Sequence, residues 1–127
     1  MGRGDPVAGV LIVEDDYFVA SELEAAFAEA GISVVGVANS ADEALSIAAQ
    51  KRPKIAVVDI RLVGERDGVD VAIKLRNEHG IPSIFASAHS DAKTQKRGQQ
   101  AAPLSWVAKP YQPVKLVQLV RAHLKDS

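Results

Sequence analysis

Short apolar runs alternate with longer segments of helical period along this chain. Three of the runs are rich in β-branched side chains and predict strands at Val10–Val13, Val34–Ala38 and Ile55–Val58. Two further runs, over residues 81–87 and 104–108, bring the number of predicted strands to five. The unbroken apolar character of the third run indicates a central strand that is covered on both faces. Strands that alternate with helices in this way are typical of an α/β domain with a parallel sheet.

The segments between the runs predict helices with recognisable ends. The first helix spans residues 18–30 and stops at Gly31. Ser40 followed by Glu43 is a capping-box pattern at the start of the second helix. A third helix follows the loop over residues 60–67, and Pro113 in its first turn opens the last one. Each predicted strand is therefore followed by a helix or a candidate helix.

The segment over residues 91–100 is the weakest of the candidate helices. It is almost entirely polar, and it contains Gly98. A helix here has little apolar surface to bury, so we expect a short or mobile fourth helix.

Five strand-helix units with right-handed crossovers favour a doubly wound sheet. We predict a flavodoxin-like strand order 2-1-3-4-5 with helices on both faces, formed by a single domain over residues 9–125 after a flexible N-terminus of residues 1–8. Ligands of this architecture bind beyond the carboxyl ends of the strands, at the switch point between the first and third strands.

Composition narrows the function classes. The chain has 127 residues, with 15 Lys and Arg against 16 Asp and Glu, so no overall basic field favours direct binding of nucleic acid. It has no cysteine, which excludes disulfides, thiolate zinc sites and a cysteine nucleophile. No apolar stretch is long enough for membrane insertion, and we expect a soluble, cytoplasmic protein.

Ionisable residues stand at the ends of three predicted strands. The trio Glu14, Asp15 and Asp16 follows the first strand, Asp59 follows the third, and Lys109 follows the fifth. Because parallel strands end at one edge of the sheet, these side chains are expected to form a cluster of carboxylates and an ammonium group. Such a cluster suits Mg²⁺, which prefers hard oxygen ligands, together with a phosphoryl group.

The order and spacing of these residues resemble those of receiver domains of two-component response regulators, and the resemblance covers about the whole chain. It rests on four short motifs at strand ends, Glu14-Asp15, Asp59, Ser87-Ala88 and Lys109-Pro110. The resemblance implies that Asp59 accepts a phosphoryl group from a histidine kinase, a histidine phosphotransfer protein or a small acyl phosphate. Within the family, the loop from Asp59 to Gly68 is most similar to receivers of alphaproteobacterial type.

The resemblance also implies a metal site for Mg²⁺ or Mn²⁺. Asp15 would bind the ion directly and Glu14 through water. Asp59 and the backbone carbonyl of Arg61 would complete the protein ligands. Arg61 and His89 occupy positions that tune the hydrolysis of the aspartyl phosphate in this family.

Three further side chains have roles that the resemblance implies. Lys109 would pair with one phosphoryl oxygen, and the Ser87 hydroxyl would bind another and move toward Asp59. Trp106, where Tyr or Phe is more usual, would follow that movement inward. The change would reach an output protein of unknown identity, or a second copy in a homodimer, through the surface of helix four, strand five and helix five.

The receiver interpretation predicts no enzyme activity beyond Mg²⁺-dependent self-phosphorylation and slow autodephosphorylation. A haloacid dehalogenase-type phosphatase would need a second Asp two residues after Asp59, where Arg61 stands. A flavodoxin-like nucleotide binder would need a phosphate loop after the first strand, where the acidic trio stands instead.

Other interpretations stay open. The acidic trio could simply cap the first helix, and Trp106 could be a core residue. A protein-binding module that works without phosphorylation is compatible with the same residues, and the sequence does not decide between a stand-alone receiver and part of a larger regulator.

Overall fold

A computed structural model describes residues 9–62, 64–88 and 91–126. The five strands are β1 (Val10–Val13), β2 (Val34–Ala38), β3 (Ile55–Val58), β4 (Ser83–Ser87) and β5 (Ser105–Ala108). The helices are α1 (Tyr17–Glu29), α2 (Ala41–Lys51), α3 (Gly68–His79), α4 (Ala92–Gly98) and α5 (Pro113–Asp126), and a 3-10 turn over Gln99–Ala101 follows α4. The N-terminal residues 1–8, for which flexibility was predicted, lie outside the described residues.

The strands form one parallel sheet in the order β2-β1-β3-β4-β5, which confirms the predicted topology. Alternate residues of the strands enter two separate apolar cores. Leu11 and Val58 pack on the face that α2 and α3 cover, whereas Ile12 and Val57 pack on the face that α1 and α5 cover. Helices on both faces explain why β1 and β3 are apolar throughout.

Two strands begin later than the apolar pattern predicted. β4 begins at Ser83 instead of residue 81, because Pro82 has no N–H to donate to a neighbouring strand. β5 begins at Ser105 instead of residue 104, and the Leu104 side chain before it is 47% exposed. Apolar character alone therefore overestimated the length of both strands.

Helix caps agree only in part with the predicted signals. The Ser40 hydroxyl accepts from the Glu43 N–H at 3.3 Å, as a capping box requires, but the Glu43 carboxylate accepts from the Asn39 N–H instead of from Ser40. A complete capping box stands at α3, where the Asp67 and Asp70 carboxylates each accept from the other residue's N–H.

The fourth helix is as short as predicted. α4 has seven residues, and among them only Gly98 is buried.

The described helices include none with the length and apolar content that a membrane crossing requires.

Candidate functional site

Glu14, Asp59 and Lys109 each follow the last residue of a strand, and each still makes a backbone hydrogen bond to a neighbouring strand. These bonds place the three ionisable residues at the carboxyl edge of the sheet. The Glu14 N–H donates to the Ala38 carbonyl and the Asp59 N–H to the Val13 carbonyl, both at 2.8 Å. On the other side of the site, the Lys109 N–H donates to the Ser87 carbonyl at 3.1 Å. The register of the strands therefore determines the positions of the Cα atoms from which these side chains extend.

The Lys109 ammonium joins two buried carboxylates. Its Nζ donates to Glu14 Oε1 at 2.7 Å and to Asp59 Oδ2 at 2.9 Å. Glu14 is 4% exposed and Asp59 is 7% exposed. Because a buried carboxylate without a partner is costly, Lys109 stabilises both groups in the protein.

Burial and charge shift two pKa values at this cluster. Burial raises the pKa of Glu14 to about 7, against the opposing effect of the Lys109 hydrogen bond, and the negative Asp59 adds to the increase. Burial also lowers the pKa of Lys109, but the bonds to Glu14 and Asp59 outweigh that effect and hold the pKa above its usual range. Lys109 therefore stays protonated at neutral pH.

The acidic trio after β1 divides into three roles. Glu14 points inward, and its second oxygen accepts from the Asp16 N–H at 3.0 Å. Asp16 caps α1 by accepting from the N–H groups of Phe18 and Val19 at 2.9 and 3.2 Å. Asp15 is exposed between them. The prediction that the acidic trio caps the first helix is therefore correct for Asp16 only. Glu14 and Asp15 remain available for the cluster of carboxylates.

Three carboxylates meet the requirement of a hard divalent cation. Ligand oxygens of Glu14, Asp15 and Asp59 all lie within 4.8 Å of one another. Mg²⁺ takes a few carboxylates and keeps several waters, so this set of donors fits it. The Arg61 N–H donates to Asp59 Oδ1 at 3.2 Å, which holds the following loop against the phosphoacceptor candidate.

Most of the predicted site residues line one surface cavity of about 300 Å³. It is lined by Glu14, Asp15, Asp16, Asp59, Arg61, Ser87, Ala88 and Lys109. Its size and its charged lining suit a phosphoryl group with a hydrated metal ion. Ser87 is buried at the end of β4.

Trp106 lies in β5, three residues before Lys109, and does not line this cavity. It is partly buried, and its ring packs on Phe85 with centroids 4.7 Å apart and planes inclined by 42°. Its predicted switching role stays a prediction. His89, to which tuning of hydrolysis was assigned, lies outside the described residues.

The loop after Asp59 is held by contacts that the sequence did not predict. The Gly68 N–H donates to the Ile60 carbonyl at 2.6 Å. Beside it, Asp67 Oδ1 accepts from the Arg97 guanidinium of α4 at 2.7 Å. The spacing of Asp67 and Asp70 before an apolar run was the available signal for the cap. Nothing in the sequence indicated that Arg97 would reach it.

Comparison with known proteins agrees with this geometry. The family model of the response regulator receiver domain matches residues 10–121. The phyllosphere-induced regulator PhyR of Methylorubrum extorquens is 32% identical over 117 residues, which cover 91% of this chain and 43% of that protein. The transcriptional regulatory protein PdtaR of Mycobacterium tuberculosis is 28% identical over 80% of this chain and 49% of its own length. The chain thus spans less than half the length of these relatives.

A solved structure gives the same result. The signal receiver domain of a modulated diguanylate cyclase from Desulfovibrio desulfuricans G20 superimposes with a TM-score of 0.86 at 35% identity, and the match covers 93% of this chain and 94% of that domain.

Proposed function

The chain belongs to the response regulator receiver domain family, and from this premise we propose that Asp59 accepts a phosphoryl group and thereby switches the binding of a partner. The observation that carries the proposal is the contact of Lys109 with both Glu14 and Asp59 at the edge of the sheet. The positive charge of the Lys109 ammonium attracts the negative charge of an incoming phosphoryl group.

Each side chain has a distinct part in the proposed transfer. An Asp59 carboxylate oxygen attacks phosphorus while the bond from phosphorus to the donor atom breaks, and the electron pair of that bond leaves with the donor. Lys109 neutralises a phosphoryl oxygen, and the Ser87 hydroxyl donates to another. Glu14, Asp15 and Asp59 would hold Mg²⁺, which would supply further positive charge against the phosphoryl group.

We further propose that the donor is a histidine kinase or a histidine phosphotransfer protein. Tyr17 and Phe18 open α1 directly after Asp16, are 76% and 78% exposed, and stack edge to face. An exposed aromatic pair directly after Asp16, which lines the charged cavity, provides apolar contact area for a protein donor. Apart from this transfer and slow hydrolysis of the aspartyl phosphate, we propose no enzyme activity.

The output surface is proposed to be the face of α4, β5 and α5. Leu104 before β5 is 47% exposed, so apolar area is available there. Val114 in the first turn of α5 is 56% exposed, but it lines a pocket together with Ala26 and Glu29 of α1. Leu119 of α5 is partly buried against the core. The unknown output protein or a second copy of the chain would bind this face.

Intact mass spectrometry tests the proposed phosphorylation. Acetyl phosphate with Mg²⁺ should add one phosphoryl group to the wild type and to the Asp16→Asn control, but none to Asp59→Asn, and chelation of Mg²⁺ should prevent the addition. If neither acetyl phosphate nor phosphoramidate modifies the wild type, the proposal is wrong, and binding without phosphorylation becomes the better explanation of the fold.

A further inference from the structure

A second cavity opens beside the candidate phosphorylation site. It has a volume of about 380 Å³ and lies between α1 and the segment from β5 to α5. Its lining is mostly apolar and includes Val19, Leu23, Pro110 and Tyr111. This volume and this lining are those of a site for a small organic molecule.

The two cavities are adjacent. Ala88 and Lys109 line both the apolar cavity and the charged cavity that contains Asp59. A molecule with a phosphoryl group at one end and a short apolar chain at the other could therefore occupy both.

Tyr111, one of the residues that line the apolar cavity, carries a donor that the described part of the fold does not use. The Tyr111 hydroxyl is buried, and it has no hydrogen-bond partner among the residues that the structure describes. A buried hydroxyl normally finds an acceptor, because leaving it unpaired costs free energy. Burial raises the pKa of Tyr111 to about 12, so the hydroxyl keeps its proton at neutral pH.

We propose that the apolar cavity binds the acyl chain of a small acyl phosphate while the phosphoryl group lies at Asp59, with the Tyr111 hydroxyl donating to an oxygen of the acyl group. This inference rests on the proposed function, since it concerns a small-molecule donor for the same transfer. The Asp59 oxygen forms a bond to phosphorus, the bond from phosphorus to the acyl oxygen breaks, and a carboxylate leaves with the electron pair. No other reactant is required.

Charge at the cavity limits which acyl groups fit. Glu22 is the acidic residue in the lining, and its carboxylate repels an acyl group that carries a second carboxylate. The cavity therefore favours uncharged chains of a few carbons.

A series of acetyl, propionyl and butyryl phosphate tests the inference, because the three leaving acids have nearly equal acidity. Initial phosphorylation rates at low donor concentration, measured by intact mass, should rise along the series. We expect butyryl phosphate to react about fourfold faster than acetyl phosphate, as expected if about half of the surface of two methylene groups leaves water.

Two matched variants show whether the cavity causes the preference. Val19→Phe fills the cavity and should reduce the ratio of the butyryl to the acetyl rate to about one. Val114→Phe makes the same change at an exposed position of α5 and should keep the wild-type ratio. Tyr111→Phe should lower the rate with every donor about fivefold, through loss of the hydrogen bond.

Equal rates of the wild type with all three donors would overturn the inference. A folded Val19→Phe protein that keeps the wild-type ratio of butyryl to acetyl rates would also overturn it. If neither acetyl phosphate nor phosphoramidate gives an adduct, the proposed function fails instead. The two failures are therefore distinguishable.

Discussion

Gly98 of α4 lies against the indole of Trp106 so closely that no side chain fits between them. A Cβ added at residue 98 would lie 2.6 Å from Trp106 Cζ2 and 3.3 Å from Phe85 Cε2. The missing side chain lets a mostly polar helix approach β5, and it fixes where the indole lies.

Gly98→Ala should therefore destabilise the protein, although Gly98 has ordinary helical backbone angles of φ −64° and ψ −26°. In open space the substitution would stabilise a helix by up to about 1 kcal/mol. Overpacking against the indole costs about 1–3 kcal/mol, so we expect a net loss of about 1 kcal/mol. Urea unfolding followed by the fluorescence of Trp106, the single tryptophan of the chain, measures the change. Lys96→Ala on the same helix is the control, and a stabilised Gly98→Ala protein would contradict the close contact.

Arg97 should contribute to stability through its ion pairs with the N-terminus of α3. Its guanidinium lies 2.7 Å from Asp67 Oδ1 and 3.4 Å from Asp70 Oδ1. The groups are about one-third exposed, so Arg97→Met should cost about 1 kcal/mol or less. Lys96→Met should cost less than that in the same urea titration, since none of the ion pairs among the described residues includes Lys96.

The contribution of Arg97 should also depend on pH. Burial raises the pKa of Asp67, but the bonds from Arg97 and from the Asp70 N–H outweigh it and hold the pKa below its usual range. A carboxyl group whose pKa is lower in the folded state than in the unfolded state stabilises the protein at pH values above its unfolded-state pKa. This stabilisation is lost as the pH falls through the folded-state pKa. The difference in unfolding free energy between wild type and Arg97→Met should therefore be constant near neutral pH and shrink below about pH 4. A difference that stays constant down to pH 2 would contradict the ion pair.

Gly68→Ala should be more damaging than a substitution that only strains the backbone. A Cβ at residue 68 would lie 2.0 Å from the Asp59 carbonyl oxygen, and backbone cannot yield as a side chain can. We expect a loss of about 3 kcal/mol from this clash. Gly80→Ala is the control, because Gly80 has φ +67° and open space around it, and its cost should be about 1 kcal/mol. Equal losses in thermal or urea unfolding would show that the loop moves away from Asp59 without cost.

Mg²⁺ should raise the melting temperature through the cluster of carboxylates. A ligand that binds only the folded state stabilises it by about 1.4 kcal/mol at ten times its Kd. Asp15→Asn should lose most of this increase, because Asp15 is one of the three residues whose ligand oxygens lie within 4.8 Å. Asp16→Asn removes the same charge one residue away and should keep the increase, since Asn also caps a helix. Scanning calorimetry with and without a chelator measures both variants, and equal responses would place the ion elsewhere.

The sheet and the edge of the site were predictable because they depend on local patterns. Apolar runs gave the strands, and a parallel sheet necessarily brings Glu14, Asp59 and Lys109 to one edge. The two strand starts that were placed too early depend on whether an N–H is available, as at Pro82, and on exposure, as at Leu104. Apolar character does not report either property.

The contacts around the site were not predictable, because they depend on how separate elements pack. Arg97 and Asp67 are 30 residues apart, and nothing in their neighbours selects one for the other. The buried hydroxyl of Tyr111 likewise follows from the packing of α5 and its preceding loop against α1. The sequence showed Gly98 only as a glycine inside a polar segment, whereas the structure shows that it makes room for the Trp106 indole.

The ladder bonds of Glu14, Asp59 and Lys109 have a consequence for protein engineering. Because main-chain atoms of neighbouring strands set the starting points of these side chains, their arrangement depends on strand register more than on which apolar residues fill the layers beneath. A redesigned core of equal volume should leave the charged edge intact. The same three residues could then be grafted onto another parallel sheet, provided that its strands end in the same register.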